Sequence, residues 1–343
     1  MIQLKHGNII LENGKLGNKI KYMKKFRVLS DLHLDVNEKY PFELVDKDTF
    51  TVICGDTSGY PKLTIEWIKR NCPNGVGISG NHLPYNYENK TIQQLRQELA
   101  YEFPLENTFT YFDCEVGVFS KVVDNILFIG TCMYTDMSIT HPTWNPTGDK
   151  ELNMKCSKWH MNDYKWGTKS LDPEIMITPN DYYEWFKNAY NKIENVLNEN
   201  ENSEKPLDVV LFTHHPLITD FIEHNGYIEQ SLYSIREFNW ASYSSDMKQW
   251  LKRHSSIKCY CCGHIHDVYA EYRYFDIIRD DNTKCLVVNN ARGYVARMHD
   301  AFFNPYRYVD TETWTIIDEK NEEYEKQKNE YNKQLLKNLS LFI

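Results

Sequence analysis

The stretch Phe26–Asp35 reads FRVLSDLHLD, an apolar run that ends in side chains able to bind a metal ion. The run Phe26–Leu29 is typical of a buried strand. Side chains alternate between the two faces of a strand, so Asp31 and His33, two positions apart, point the same way. We therefore predict a core strand whose carboxyl end presents a carboxylate and an imidazole together.

The same arrangement recurs four times, each time as an apolar run that stops at polar residues. The segments are TFTVICGD (49–56), GVGISGNH (75–82), LDVVLFTHHP (207–216) and IKCYCCGHIH (257–266). The polar residues at their ends are Asp56, Asn81, His82, His214, His264 and His266. Open α/β sheets bind ligands just beyond the carboxyl ends of their strands, so these side chains are expected at one site. Their chemistry suits a pair of cations, an arrangement that hydrolyses phosphate esters.

Taken in order, the motifs DxH, GD, GNH, HHP and GHxH resemble the calcineurin-like metallophosphoesterase family. The resemblance implies a layered α/β sandwich with two mixed β-sheets flanked by helices and a dinuclear metal site at the C-terminal ends of the strands. It assigns one metal to Asp31, His33 and His266, the other to Asn81, His214 and His264, and the bridge between them to Asp56. Four further segments resemble a bacterial and phage-type branch of this family: GTCMYTDM (130–137), HMNDYKW (160–166), SYSSDMKQWL (242–251) and NNARGY (289–294).

The activity that the resemblance implies is hydrolysis of a phosphate ester by a hydroxide bridging two metal ions. Mixed oxygen and nitrogen ligands suit Mn, Fe, Zn or Ni, and do not choose among them. His82 is the expected catalytic acid, a role that contributes ~10²–10⁴-fold where it operates. Family members often have an acidic residue near this histidine at positions where this chain has Leu83 and Gly59, so the partner of His82 stays unnamed. Arg292 could contact a substrate phosphate or form a surface salt bridge.

Composition limits the substrate without naming it. The 343-residue chain has 39 Lys and Arg against 48 Asp and Glu, a formal net charge of −9. It therefore lacks the basic footprint of a duplex-binding protein. The expected substrate is a nucleotide or another small phosphorylated molecule, attacked as a phosphodiester or a phosphomonoester. Two alternatives stay open: a nuclease or polynucleotide end-processing phosphatase acting on a single-stranded end, and a non-catalytic scaffold, against which the complete ligand set argues.

Three regions are predicted along the chain. Residues 1–24 form an N-terminal extension that could fold as a hairpin. Residues 25–310 form the phosphoesterase domain, with an irregular insertion or lid at about 134–178, and residues 311–343 form a C-terminal strand and helical tail. Capping signals predict helices that begin at Thr178 and within SSDMKQWLKRH (244–254).

The sequence also bears on the cellular compartment. Nine irregularly spaced cysteines, several of them inside apolar runs, are typical of reduced, buried thiols. No stretch resembles a secretory signal or a membrane-spanning helix. We therefore expect a cytoplasmic protein with no membrane partner.

Overall fold

The computed structural model describes residues 23–40, 43–85, 89–141, 144–172, 174–224, 240–266, 268–297 and 299–339. Residues 1–22, which include the turn of the predicted N-terminal hairpin, therefore lie outside the described residues. The strands are β1 Lys25–Leu29, β2 Thr51–Ile53, β3 Gly75–Ile78, β4 Phe109–Phe112, β5 Ser120–Val123, β6 Ile126–Thr131, β7 Asp208–Thr213, β8 Ile257–Cys262, β9 Tyr274–Ile278, β10 Lys284–Asn289, β11 Arg307–Asp310 and β12 Ile316–Asp318. The helices are α1 Pro61–Asn71, α2 Ile92–Glu102, α3 Lys150–His160, α4 Asp163–Trp166, α5 Pro179–Glu201, α6 Asp220–Glu223, α7 Trp240–Tyr243, α8 Lys248–Arg253 and α9 Glu322–Leu339.

These strands form two six-stranded mixed sheets, in the orders β12-β11-β1-β2-β3-β4 and β5-β6-β7-β8-β10-β9. In the first sheet β1 to β4 are parallel, and β11 pairs antiparallel with β1. In the second sheet β6, β7, β8 and β10 are parallel, while β5 and β9 pair antiparallel at the two edges. The carboxyl ends of the central strands in each sheet therefore lie along one edge, where open α/β sheets bind ligands.

The two sheets pack against one another through their apolar inner faces. Phe26 and Val52 of the first sheet share one buried cluster with Phe128, Phe212 and Val288 of the second. A second buried cluster lies between the second sheet and α5, and a third joins the first sheet to α1 and α2. The predicted layered α/β sandwich with two mixed sheets flanked by helices is therefore confirmed.

Of the two helix starts that capping signals predict, one agrees with the structure and one does not. Helix α5 begins with the expected capping box at Thr178. The helix predicted over residues 244–254 is shorter, since α8 begins only at Lys248. The reason is that the Ser244 hydroxyl donates to the carbonyl oxygens of Pro216 and Ile218, at 3.0 and 2.6 Å, and caps no helix.

The segment 134–178, predicted as an irregular insertion or lid, is regular only in part. It contains α3, whose N-cap Asp149 accepts two main-chain N–H groups, and the short helix α4. The buried Asn153 amide donates to two main-chain carbonyl groups of the same segment. Because polar side chains stabilise the structure of this segment, a pattern of apolar residues in the sequence does not predict its helices. The C-terminal helix begins at Glu322.

The cysteines agree with a further expectation. All nine cysteines are free thiols, and eight of them are buried. Cys259 and Cys261 lie in the core between the sheets, as the strand interpretation of their segment predicts. Within the described ranges, no helix is both long enough and apolar enough to cross a membrane.

Candidate metal centre

The predicted metal ligands follow strands of both sheets. Asp31 and Asp56 follow β1 and β2, whereas His214 and His266 follow β7 and β8. Among the residues that the structure describes, three groups of side chains at this edge of the sandwich have possible ligand atoms within 4.8 Å of one another. The groups are Asp31 with His33 and His266, His33 with Asp56 and His82, and Asp31 with Asp56 and His214. Because they share members, the three groups form one continuous cluster.

The first half of the cluster is centred on Asp31. Its Oδ1 lies 2.9 Å from His266 Nε2 and 3.7 Å from His33 Nε2, and these two nitrogens are 3.2 Å apart. The other oxygen, Oδ2, accepts the His264 main-chain N–H at 2.9 Å and the Ser30 hydroxyl at 2.5 Å. Asp31 therefore directs Oδ1 towards the two imidazoles.

The second half of the cluster is centred on His214. Its Nε2 lies 2.8 Å from Asn81 Oδ1 and 3.2 Å from Asp56 Oδ2. Its Nδ1 lies 2.8 Å from the Cys54 carbonyl oxygen, which only accepts, so Nδ1 donates and Nε2 faces the cluster. The other oxygen of Asp56, Oδ1, accepts the His82 main-chain N–H at 3.1 Å, which directs Oδ2 towards His214.

This donor set fits divalent ions. Two ligand atoms bound to one ion at about 2.0–2.2 Å are about 3–3.5 Å apart at the usual angles. The separations of 2.9, 3.2 and 3.7 Å around Asp31 and of 3.2 Å between Asp56 and His214 are close to this spacing. Buried imidazole and carboxylate groups are the ligands that Mn, Fe, Zn and Ni accept. The cluster could therefore hold metal ions, while their number and identity stay predictions.

His264 is arranged differently from the other predicted ligands. Its imidazole belongs to none of the three groups found among the described residues. Its ring centroid lies 4.3 Å from that of His215 and 5.1 Å from that of His214. His215 is itself fully buried, with Nδ1 3.8 Å from the Cys132 sulfur, as expected for a structural residue. The metal-binding role of His264 stays a prediction.

The surroundings of His82 supply the partners that the sequence leaves unnamed. Its Nε2 lies 3.3 Å from the Tyr294 hydroxyl and 3.9 Å from Asp56 Oδ2. Its ring stacks on Tyr85, with centroids 4.5 Å apart and planes inclined by 25°. A hydroxyl group and a carboxylate therefore lie near the nitrogen that is expected to hold a proton.

Arg292 directs its side chain away from this cluster. The guanidinium is buried and donates to the Tyr40 carbonyl oxygen. Burial lowers the pKa of Arg292, and the neighbouring groups that oppose this include Tyr324 of α9 and Asp300. Its main-chain N–H, by contrast, donates to Ser30 beside the cluster at 3.0 Å. The contact between Arg292 and a substrate phosphate stays a prediction, and the described contacts of its side chain favour a structural role.

Backbone strain is concentrated at the cluster. Asp31, His33, Asp56 and His264 have φ values of 53°, 44°, 45° and 65°. Such left-handed conformations are uncommon for residues other than glycine and cost ~1–3 kcal/mol each. Main-chain hydrogen bonds maintain them, including those from the Asp31 N–H to Gly55 and from the His33 N–H to Asp56, both at 3.0 Å. Strain of this kind typically persists where a functional site requires it.

Both carboxyl groups of the cluster favour the ionised form. Burial raises the pKa of Asp31, but the charges of His266 and His214 outweigh burial and hold the pKa well below its usual range. Burial also raises the pKa of Asp56, and the charges of His214 and His82 again lower it overall. The fold therefore keeps negative charge in its interior, which a bound cation would stabilise further.

The histidines in and beside the cluster are of two kinds. Burial lowers the pKa of His33 to about 4 and that of His264 well below its usual value. Burial also disfavours charge on His214, but Asp56 and Asp31 outweigh it and raise the pKa to about 9. Neutral His33 and His264 offer a lone pair to a metal at neutral pH, whereas His214 must release a proton to bind one. Metal binding at His214 is therefore expected to release protons.

Two glycines allow the ligands to approach the main chain closely. A Cβ atom at Gly80 would lie 2.1 Å from Asp56 Oδ1 and 2.7 Å from His214 Nε2. A Cβ atom at Gly263 would lie 2.5 Å from Asp31 Oδ2. Because real Cβ contacts essentially never fall below 3.0 Å, a larger residue at either position would displace a ligand.

Gly80→Ala is therefore expected to weaken Mn²⁺ binding by about 10–100-fold, the loss typical when the support of a metal ligand is disturbed. Titration calorimetry with Mn²⁺ measures this. Gly117→Ala is the control, since a Cβ atom there meets nothing within 4 Å. Its φ of +88° is strained for alanine, so this variant is expected to lose about 1–2 kcal/mol of stability and no Mn²⁺ affinity. Unchanged Mn²⁺ affinity in folded Gly80→Ala protein would show that Asp56 and His214 do not bind the metal.

The sequence did not identify three residues that support the cluster. These are Tyr294, next to His82, and Asp163 and Tyr85, which hydrogen-bond to each other at 2.6 Å. Asp163 and Tyr294 lie in the segments HMNDYKW and NNARGY, which stood out only for their resemblance to one branch of the family. No spacing in the sequence connects either residue to the GNH motif.

Comparisons with known proteins agree with the fold. No family model matches the chain, and no curated protein matches its sequence. Among solved structures, the crystal structure of phosphopantetheinyl hydrolase from Mycobacterium tuberculosis is similar, with a TM-score of 0.51 and 14% identity. The similarity covers 78% of this chain and 90% of that chain. At this level of identity it shows a shared fold, here combined with a buried cluster of acidic and histidine side chains that could bind metal.

Proposed function

We propose that this protein hydrolyses phosphate esters with divalent metal ions bound at the candidate metal centre. The observation that carries the proposal is the convergence of Asp31, His33, Asp56, His214 and His266, from the strands of two sheets, into linked groups within 4.8 Å. Buried charge of this density is costly unless it is paired or binds a metal ion. The fold shared with an enzyme named phosphopantetheinyl hydrolase adds support for this class of reaction.

Each residue contributes a distinct part to the proposed reaction. Asp31, His33 and His266 would hold one ion, Asn81, His214 and His264 would hold a second, and Asp56 would contact both. Divalent ions at such a centre lower the pKa of water and neutralise charge on phosphoryl oxygens. His82 would hold a proton on Nε2 for the leaving group, and the Tyr294 hydroxyl, 3.3 Å away, would orient that imidazole.

The substrate is proposed to be a nucleotide or another small phosphorylated molecule. A net charge of −9 disfavours long contacts with a nucleic acid backbone. The metal ions themselves would supply the positive charge that a single phosphate group requires. A nucleic acid end remains compatible with this arrangement, because it too presents one phosphate at a time.

The test compares a bis-aryl phosphate with the matching aryl monophosphate, using protein stripped by a chelator and reloaded with Mn²⁺. We expect hydrolysis that chelation abolishes and Mn²⁺ restores. The ratio of the two rates assigns the protein to diesters or to monoesters. His214→Ala, which removes an imidazole from the cluster, is the control for contaminating phosphatases. Metal-loaded protein that hydrolyses neither substrate would favour the scaffold alternative and refute the proposal.

A further inference from the structure

Asp163 connects the 134–178 segment to the GNH motif. It is the first residue of α4, and its side chain is only 2% exposed. Its Oδ1 accepts the Asn81 amide Nδ2–H at 2.8 Å and the Tyr85 hydroxyl at 2.6 Å. Both contacts use this oxygen as an acceptor, so they are the same whether or not Oδ2 carries a proton. None of the predicted roles involves Asp163.

The first contact fixes the orientation of the Asn81 amide. A side-chain amide has an acceptor at Oδ1 and donors at Nδ2. Because Nδ2 donates to Asp163, Oδ1 faces His214 Nε2, 2.8 Å away. Reversing the amide would bring two oxygen atoms together in a buried place, where an unpaired polar group costs about 1–3 kcal/mol. Asp163 therefore keeps the only atom of Asn81 that can bind a metal directed towards the cluster.

The second contact supports His82. The Tyr85 hydroxyl is hydrogen-bonded to Asp163, and the Tyr85 ring stacks on the imidazole of His82. One further hydrogen bond joins the same two parts of the chain, from the Thr168 main-chain N–H to the Pro84 carbonyl oxygen at 3.0 Å. The loop that carries Asn81 and His82 is therefore attached to the 134–178 segment at several points.

We propose that Asp163 is a positioning residue that orients Asn81 for metal binding and holds Tyr85 against His82. The contacts of Asp163 would then make the 134–178 segment a fixed wall of the candidate metal centre and not a lid. The inference rests on the proposed function, because it assumes that Asn81 binds a metal. The inference goes beyond that function because it assigns the support of the GNH loop to Asp163, a carboxylate distant in the sequence. Leu83 and Gly59, at the positions where family members often have an acidic residue, cannot supply this support.

Asp163→Ala is expected to weaken binding of Co²⁺ by about 10–100-fold, the usual cost of removing a group that orients a metal ligand. Competition with a coloured chelator measures the affinity, and the visible absorption of bound Co²⁺ reports a change in its ligands. Asp163→Asn keeps an acceptor oxygen of the same shape, so it is expected to restore most of the affinity and the wild-type spectrum. Both readouts are independent of hydrolysis.

Two further variants separate positioning from folding. Asn153→Ala removes another fully buried side chain of the same segment and is expected to lower the melting temperature with unchanged Co²⁺ affinity. Tyr85→Phe removes only the hydroxyl contact and is expected to keep Co²⁺ affinity while lowering kcat. An Asp163→Ala protein with wild-type affinity and spectrum, or an Asn153→Ala protein with an equal loss, would overturn the inference. Wild-type protein that binds no metal would instead refute the proposed function.

Discussion

Asp56→Asn is expected to abolish most of the hydrolytic activity, with a loss of about 10³-fold or more, because metal ions typically supply several kcal/mol of transition-state stabilisation. Asp56 belongs to two of the three side-chain groups, one shared with His33 and one shared with Asp31 and His214. Asparagine preserves the shape of the side chain but removes the negative charge that both ions would share. Elemental analysis after dialysis and the dependence of turnover on Mn²⁺ concentration measure the effect.

The control for this variant is Asp113→Asn. Asp113 is also a buried carboxylate, but its partner is the Arg96 guanidinium at 3.2 Å and it lies outside the metal-binding groups. Breaking this ion pair is expected to lower stability, since the buried Arg96 loses its counter-charge, while metal content stays unchanged. Asp56→Asn protein that retains a full complement of metal and wild-type turnover would contradict the assignment of Asp56 to the centre.

The part of this site that the sequence revealed is the part that depends on local patterns. Asp31 and His33 could be predicted because both follow the apolar run that forms β1. The reason given for their common direction was wrong, since both lie beyond Leu29 in left-handed conformations and not on a strand. Asp56 and His214 could be predicted because each directly follows an apolar run that forms a core strand. Because open α/β sheets bind ligands beyond the carboxyl ends of their strands, the sequence also predicted that these residues lie at one site.

The part that the sequence did not reveal depends on contacts between distant positions. Asp163 is 82 residues from Asn81, and Tyr294 is 212 residues from His82. Neither contact follows from periodicity, since a hydrogen bond between residues far apart in the sequence has no repeating spacing. The same reason explains the 134–178 segment, whose helix α3 depends on the Asp149 cap and on the buried Asn153. A single histidine or carboxylate in such a segment has no feature that separates it from a surface residue.

His82 is the second residue whose replacement is expected to lower turnover strongly. His82→Ala is expected to lower turnover by about 10²–10⁴-fold for a phosphate ester with a poor leaving group, such as an alkyl alcohol. The loss on a dinitrophenyl ester should be small, because that leaving group departs without a proton. The steepness of log kcat against leaving-group pKa measures the effect, and it should increase in the variant. His82 Nε2, near Tyr294 and Asp56, is suited to hold the proton that the poor leaving group requires.

A competing role for His82 is metal binding, since it forms one of the three groups with His33 and Asp56. The two roles predict different results for metal content. A proton donor leaves the bound metal unchanged when removed, whereas a ligand takes metal with it and slows both kinds of ester equally. His299→Ala is the matched control, because this histidine lies 5.5 Å from the ring of His266 but outside the three groups. Equal losses on both esters, together with depleted metal, would assign His82 to the metal instead of to the leaving group.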